Sequence, residues 1–321
     1  GYSMAPRPGW DKSFEWDGYV PFEEMPSIYN PPEGYISTAN NKTIGSEFPY
    51  YISGLWADPS RSSRIKEVLD ENKKVSLKDM KDLQLDLTSN YSKEILPYIL
   101  KNAGAFENPI YKRAIKFLKD WNNIESIDSE GTLIFHSISN QIIRNVYYDE
   151  LSVLGDKYFE TFMGLKYITK RNLRNILRNK SNKWVDDIRT PNKIETIDEI
   201  ITKSIESGIK NVIGTYGPNW SNWKWGFAHS LTHKHILGDV KILNYLFNLN
   251  IGPYLSGGSD VTPNAGGYSL HKGFNQTSGA SMRRIVDFSD LNRTSMILPT
   301  GQSGLNNSPH YSDQAPLYHE G

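Results

Sequence analysis

The sequence predicts an α+β protein whose β-like ends flank a helical middle. Three observations carry that prediction. Residues 1–56 are dense in Pro, Gly and aromatic side chains and hold the β-like pieces "GYVPF", "GYIST" and "YYISGLW". From "DPSRSSRIKEVLDENKK" to about Asn250, apolar residues recur at helical spacing. From Gly252 the glycines return ("SGGSDVTPNAGGY"), followed by short alternating runs. The expected division is a β-rich part, 1–56 together with 252–321, sharing one sheet around a mainly helical region, 57–251.

Each element has its own signal. "DPSRSSRIKEVLDENKK" begins the helical region. Next comes one long helix: Ser76 and Asp79 have the spacing of a capping box, and Leu83, Leu87, Tyr91, Ile95 and Ile99 repeat every four residues as a core stripe. "PIYKRAIKFLKDW", "TLIFHSISNQIIRNVYYDELSVL", "KRNLRNILRN" and "TIDEIITKSIESGIKNVI" each place apolar residues on one face. Near the end, "SMRRIVDF" and "TSMILP" alternate as strands do, and a polar tail, "GQSGLNNSPHYSDQ", follows.

Composition narrows the function. Lys+Arg and Asp+Glu balance at 36 each over 321 residues, so no net field draws the chain to nucleic acid or an anionic membrane. Cysteine is absent, which removes disulfides, thiolate nucleophiles and cysteine metal sites but leaves the compartment open, cytoplasmic or exported. The apolar runs are far shorter than a membrane span. A start at Gly1, without an initiator Met, in a Pro/Gly-rich stretch reads as the middle of something longer.

Several residues invite chemistry. His229 and His233 in "HSLTHKH" match the i, i+4 spacing of two zinc ligands on a helix, with His235 beside them. Ser230 stands where the metalloprotease motif needs a glutamate base, so packed histidines are the better expectation. Trp220, Trp223 and Trp225 read as buried anchors. Ser303 fails the nucleophile-elbow pattern because Leu305 holds the last glycine's place. The doubled glycines at 257–258 and 266–267 lack a dinucleotide fingerprint, and Asp260 and Asp313 are carboxylates without a readable partner. No complete catalytic set is present. In "PPEGYISTANNKTIG", Asn40 and Asn41 suit a turn equally well as an amide held in a dry pocket to bind a developing oxyanion.

"WDGYVPFEEMPSIYNPPEGYISTANN", "YYISGLWADPSRSSRIKEVL", "QLDLTSNYSKEILPYIL", "NWKWGFAHSLTHKHILG", "GASMRRIVDFSD" and "GQSGLNNSPHYSDQ" occur in that order across nearly the whole chain. Taken as an ordered set, they resemble the penicillin acylase family of N-terminal-nucleophile (Ntn) hydrolases. The resemblance implies part of an αββα sandwich with an inserted helical region. It also implies a self-cleaving precursor whose upstream part carries an N-terminal serine, with the serine's own α-amine as base. That chemistry needs no Ser-His-Asp set. The implied reaction is hydrolysis of a linear amide of a small molecule, with no nucleic acid or membrane partner and no cofactor needed for the chemistry.

The same resemblance assigns Asn40 as a side-chain donor of the oxyanion hole, with Asn41 the lesser candidate, and Arg61 as its orienting and electrostatic partner. The partner implied is the upstream part of the same precursor, the alpha subunit with the start of the beta subunit. This chain alone is then expected to be inert. Some relatives bind calcium through an aspartate between the Asn and Arg motifs; here "FPYYISGLWA" offers no acid before Asp58, so ligands for a structural calcium are not identifiable. A second reading keeps the fold as a catalytically silent scaffold or binding module, and within the first the acyl group and the amine, an N-acyl homoserine lactone included, stay open.

Overall fold

A computed structural model describes residues 6–320 other than 17, 73, 105 and 180–182. The helices are α1 (Ser60–Glu71), α2 (Leu77–Gln84), α3 (Asn90–Asn102), α4 (Pro109–Asp120), α5 (Glu130–Ser152), α6 (Asp156–Met163), α7 (Lys166–Arg178), α8 (Ile197–Tyr216), α9 (Trp225–Ala228), α10 (Lys241–Phe247) and α11 (Ala315–Glu320). The strands are β1 (Ser230–His233), β2 (Ile251–Leu255), β3 (Gly266–Gly267), β4 (Ser278–Gly279), β5 (Arg283–Ile285) and β6 (Ser295–Ile297). They pair in sequence order as three antiparallel two-stranded sheets, with Leu231 opposite Tyr254, Gly266 opposite Gly279 and Arg284 opposite Met296. The fold is α+β.

The helical core is built as the periodicity implies. Helix α5 is its axis, with Leu133, Ile134, Ile138, Ile142 and Val146 fully buried against Ile201, Ile205 and Ile209 of α8. The two helices meet closely at Gly208, where an added Cβ would lie 2.8 Å from the Ile138 Cα; there the Ser137 hydroxyl donates to the Gly208 carbonyl at 2.9 Å. Thr196 and Glu199 form the capping box that starts α8.

Two expectations change. The long helix after Ser76 is two helices: its capping box does open α2, but residues 85–89 break away before α3. Asp86 Oδ1 accepts from the Thr88 N–H at 2.6 Å, Thr88 bridges to Ile124, and Ser89 caps α3 by accepting from the Ser92 N–H at 3.1 Å. Local side-chain acceptors outcompete the helical bond there. Tyr91, Ile95 and Ile99 still form the predicted stripe, fully buried.

The sheet expected to join the two ends is also not formed by the described residues. Residues 6–56 hold two short 3₁₀ turns, Lys12–Phe14 and Phe22–Glu24, and among the described residues of that stretch no strand occurs. β-like alternation is a local property, whereas a strand exists only when another backbone ladders with it. Tyr19, Phe22 and Tyr29 of this stretch are at least 87% exposed. At the other end the prediction holds: "SMRRIVDF" and "TSMILP" become β5 and β6.

Candidate active site

The loop before α1 presents both asparagines, and the structure separates their roles. Asn40 adopts a left-handed backbone, φ +61°, a conformation Asn tolerates better than most residues. Asn41 spends its side chain locally: Oδ1 accepts from the Ala39 N–H at 3.0 Å and Nδ2 donates to the Lys42 carbonyl at 3.1 Å. Asn40 is held from outside the loop. Its carbonyl accepts from the Ala57 N–H at 2.8 Å, and its side-chain Oδ1 accepts from Arg61 Nη2 at 2.8 Å. The same Nη2 donates to the Ala39 carbonyl at 2.8 Å.

This contact orients the amide. A guanidinium can only donate, so the oxygen of Asn40 must face Arg61 and its NH₂ group must turn away. Among the described residues that NH₂ has no hydrogen-bond partner. Asn40 and Arg61 line one cavity of about 450 Å³, together with Lys166, Asp260, Gly267 and Arg283. Asn40 is exposed at this cavity, so the dry enclosure expected of it is not formed by the described residues.

Arg61 is the second residue of α1, where the helix dipole disfavours a cation. The start of α1 that carries it is fixed from behind. The buried Asp58 accepts from the Ser60 N–H at 2.9 Å and lies 3.2 Å from Arg174, which in turn reaches Glu94 at 3.0 Å. Asp58 is thus engaged by Arg174 and the start of α1. Among the described residues, no three His, Cys, Asp or Glu side chains cluster as metal ligands.

Behind the cavity lies a buried ionic interior that sequence reasoning missed. Lys170 Nζ sits 2.5 Å from Asp260 Oδ1, both groups shielded from water. Burial pushes the Asp260 carboxyl up, but Lys170 and then Lys166 outweigh it and hold the group below the usual carboxylate range. Deeper still, Glu125 Oε1 lies 3.1 Å from His136 Nε2, while the Tyr268 hydroxyl is 2.9 Å from His136 Nδ1. The only sequence signal was an isolated Asp260; its partner stands 90 positions away.

The other candidates resolve into structural parts. The helical spacing of His229 and His233 is lost because α9 ends at Ala228 and β1 starts at Ser230. His229 is buried, stacks on Trp225 at 4.7 Å and places Nδ1 2.6 Å from the Phe274 carbonyl. Burial drops it to about pKa 4, ahead of the opposing hydrogen bond. His233 Nε2 lies 3.2 Å from His319 Nε2, and His235 accepts from the Leu237 N–H. Trp223 and Trp225 are fully buried, as expected, but Trp220 is 44% exposed, with Arg113 over its ring at 5.5 Å. Ser303 is a loop residue accepting from the Leu305 N–H, and Asp313 meets His310 at 2.8 Å. The doubled glycines allow close approach: Gly258 has φ +73° and accepts from the Trp225 indole N–H at 2.9 Å, and a Cβ on Gly266 would come 2.9 Å from His229 Nε2.

The penicillin amidase family model matches residues 2–321. The acyl-homoserine lactone acylase QuiP of Pseudomonas aeruginosa is 26% identical over 98% of this chain and 40% of its own length. The penicillin acylase 2 proenzyme of a Pseudomonas species is 24% identical over 96% of this chain and 38% of its own. This chain therefore spans about 40% of the curated relatives it matches. Among solved structures, the thermostable penicillin G acylase of Alcaligenes faecalis superposes with a TM-score of 0.55 at 15% identity, over 95% of this chain and 56% of that one, a likeness of fold.

Proposed function

The chain belongs to the penicillin amidase family, and from that footing we propose that it is the distal part of a self-processing acylase that hydrolyses a linear amide. The nucleophile is an N-terminal serine carried by the upstream part of the same precursor. Its hydroxyl adds to the substrate carbonyl as its proton passes to the serine's α-amine, the carbonyl π electrons move to oxygen, and a tetrahedral oxyanion forms. Asn40 Nδ2 donates to that oxyanion. Collapse expels the amine, which takes up the proton, and water then hydrolyses the acyl-enzyme.

The observation that carries this reading is the Arg61 clamp. It occupies the Asn40 oxygen and leaves the NH₂ unpaired on a residue that lines the cavity. A preorganised donor stabilises charge that appears only in the transition state, and it does so without reorganising as the charge develops. Enclosure of the exposed Asn40 then falls to the upstream part, which also supplies the second, backbone donor. Both named relatives cleave acyl amides by their titles, one an acyl-homoserine lactone and one a penicillin, and these are the first two substrates to assay.

The test uses the complete enzyme. Asn40→Ala lowers kcat by about 10² to 10³ with KM little changed. Turnover at the wild-type rate removes the assignment. Mass spectrometry of the mature protein identifies the residue that begins the larger subunit, and an initial residue without a nucleophilic side chain ends the N-terminal-nucleophile mechanism.

A further inference from the structure

The cavity beside Asn40 is lined by three cations, Arg61, Lys166 and Arg283, and by one carboxylate, Asp260. Two of those cations are committed. Arg61 holds Asn40 and Ala39, and Arg283 donates to the Tyr318 carbonyl and to Asn264 Oδ1 while lying over the Tyr318 ring. Asp260 is taken by Lys170 from the buried side. Lys166 differs: among the described residues its ammonium makes no hydrogen bond or close ion pair.

Its placement is costly in two ways, and a glycine gives it room. Lys166 is the first residue of α7, so its charge opposes the helix dipole, as that of Arg61 opposes the dipole of α1. Burial pulls its pKa below the ordinary lysine value, and the charges of Lys170 and Arg61 pull the same way against Asp260. Across the cavity a glycine leaves space for it where it now sits. A Cβ on Gly267 would collide with Lys166 Nζ and with the Ser278 hydroxyl. The β3–β4 pair thus leaves room for an ammonium whose attraction to Asp260 is shared with Lys170, the closer partner of that carboxylate.

Resting on the functional reading above, we propose that Lys166 is a specificity-determining residue that receives a carboxylate of the substrate, so that the preferred substrate is an amide carrying an acidic group near the scissile bond, as in an N-acyl amino acid. Asn40 then faces the reacting carbonyl while Lys166 reads the charge. The convergence of two helix N-termini on the cavity adds dipoles of the same sign.

The complete enzyme tests this by equilibrium binding of two probes without a cleavable amide, 3-phenylpropanoate and 3-phenylpropan-1-ol. The carboxylate binds the wild type at least about tenfold more tightly than the alcohol, Lys166→Met abolishes that preference, and Lys166→Arg restores it. Equal binding of the two probes to the wild type overturns the proposal, as does a preference that survives in Lys166→Met. Hydrolysis is scored separately. A Lys166-dependent preference in an enzyme that cleaves no amide sinks the acylase reading and leaves the carboxylate subsite standing; amide cleavage with no such preference does the reverse.

Discussion

Arg61 and Asn40 make one unit, and the guanidinium's geometry matters as much as its charge. One nitrogen donates to two oxygens, the Ala39 carbonyl and Asn40 Oδ1. A lysine at this position keeps the charge but not the rigid, planar NH₂ whose two hydrogens point at both oxygens, its rotating ammonium sitting at the end of a flexible stem. Arg61→Lys in the complete enzyme is expected to lower kcat by tenfold or more, while the thermal midpoint stays within a degree or two of wild type. An unchanged kcat would mean that the amide is oriented by something else. A second residue-scale effect concerns His229. Its folded pKa of about 4 lies below the unfolded value near 6.5, so the unfolded state binds more protons between those pH values. Its contribution is therefore complete above pH 6.5 and is lost as pH falls toward 4, by roughly 3 kcal/mol. Urea unfolding at a series of pH values measures this slope. His319, also lowered to about 4 by burial and by His233, adds to it. Replacing His229 with Asn should flatten the slope, and an unaltered slope would refute the assignment.

The helices were the most legible elements, and the reasons are local. A capping box and a 3.6-residue stripe both lie within one stretch of chain, so α2, α4, α5, α7 and α8 could be placed from the sequence. The break between α2 and α3 was not legible, because the apolar stripe runs through it while Asp86 and Ser89 end and restart the helix by hydrogen bonds that no periodicity reports. Packing between helices adds its own constraint at Gly208. A methyl group there would fall 2.8 Å from the Ile138 Cα, and backbone cannot give way as a flexible side chain can. Gly208→Ala gains helix propensity of about 1 kcal/mol but should destabilise overall by about 1–3 kcal/mol. A urea midpoint that rises instead would show that α5 and α8 can separate at little cost.

At the scale of the molecule, the exposed aromatic row of residues 6–56 stands out. Trp10, Trp16, Tyr19, Phe22 and Tyr29 are each at least 87% exposed, a density of apolar surface that marks an interface. On the function proposed above, the occupant of that surface is the upstream part of the precursor. Hydroxyl-radical footprinting of the complete protein should find Trp10 and Trp16 protected; heavy oxidation of both would leave that surface free for another partner. Among the described residues, no helix is long and apolar enough to cross a membrane. Family and helical content could be read from the chain alone, because ordered motifs, caps and apolar periods are written over a few to a few tens of residues; positions 40 and 61 were singled out only by the resemblance. The tertiary structure alone decided that Lys166 shares a cavity with Asn40 and that Lys170 meets Asp260 across 90 positions. It also decided that the β-like stretch before α1 ladders with no described strand. Each of these depends on which distant segment arrives alongside, and an electrostatic or backbone partner leaves no period or spacing in the sequence that could announce it.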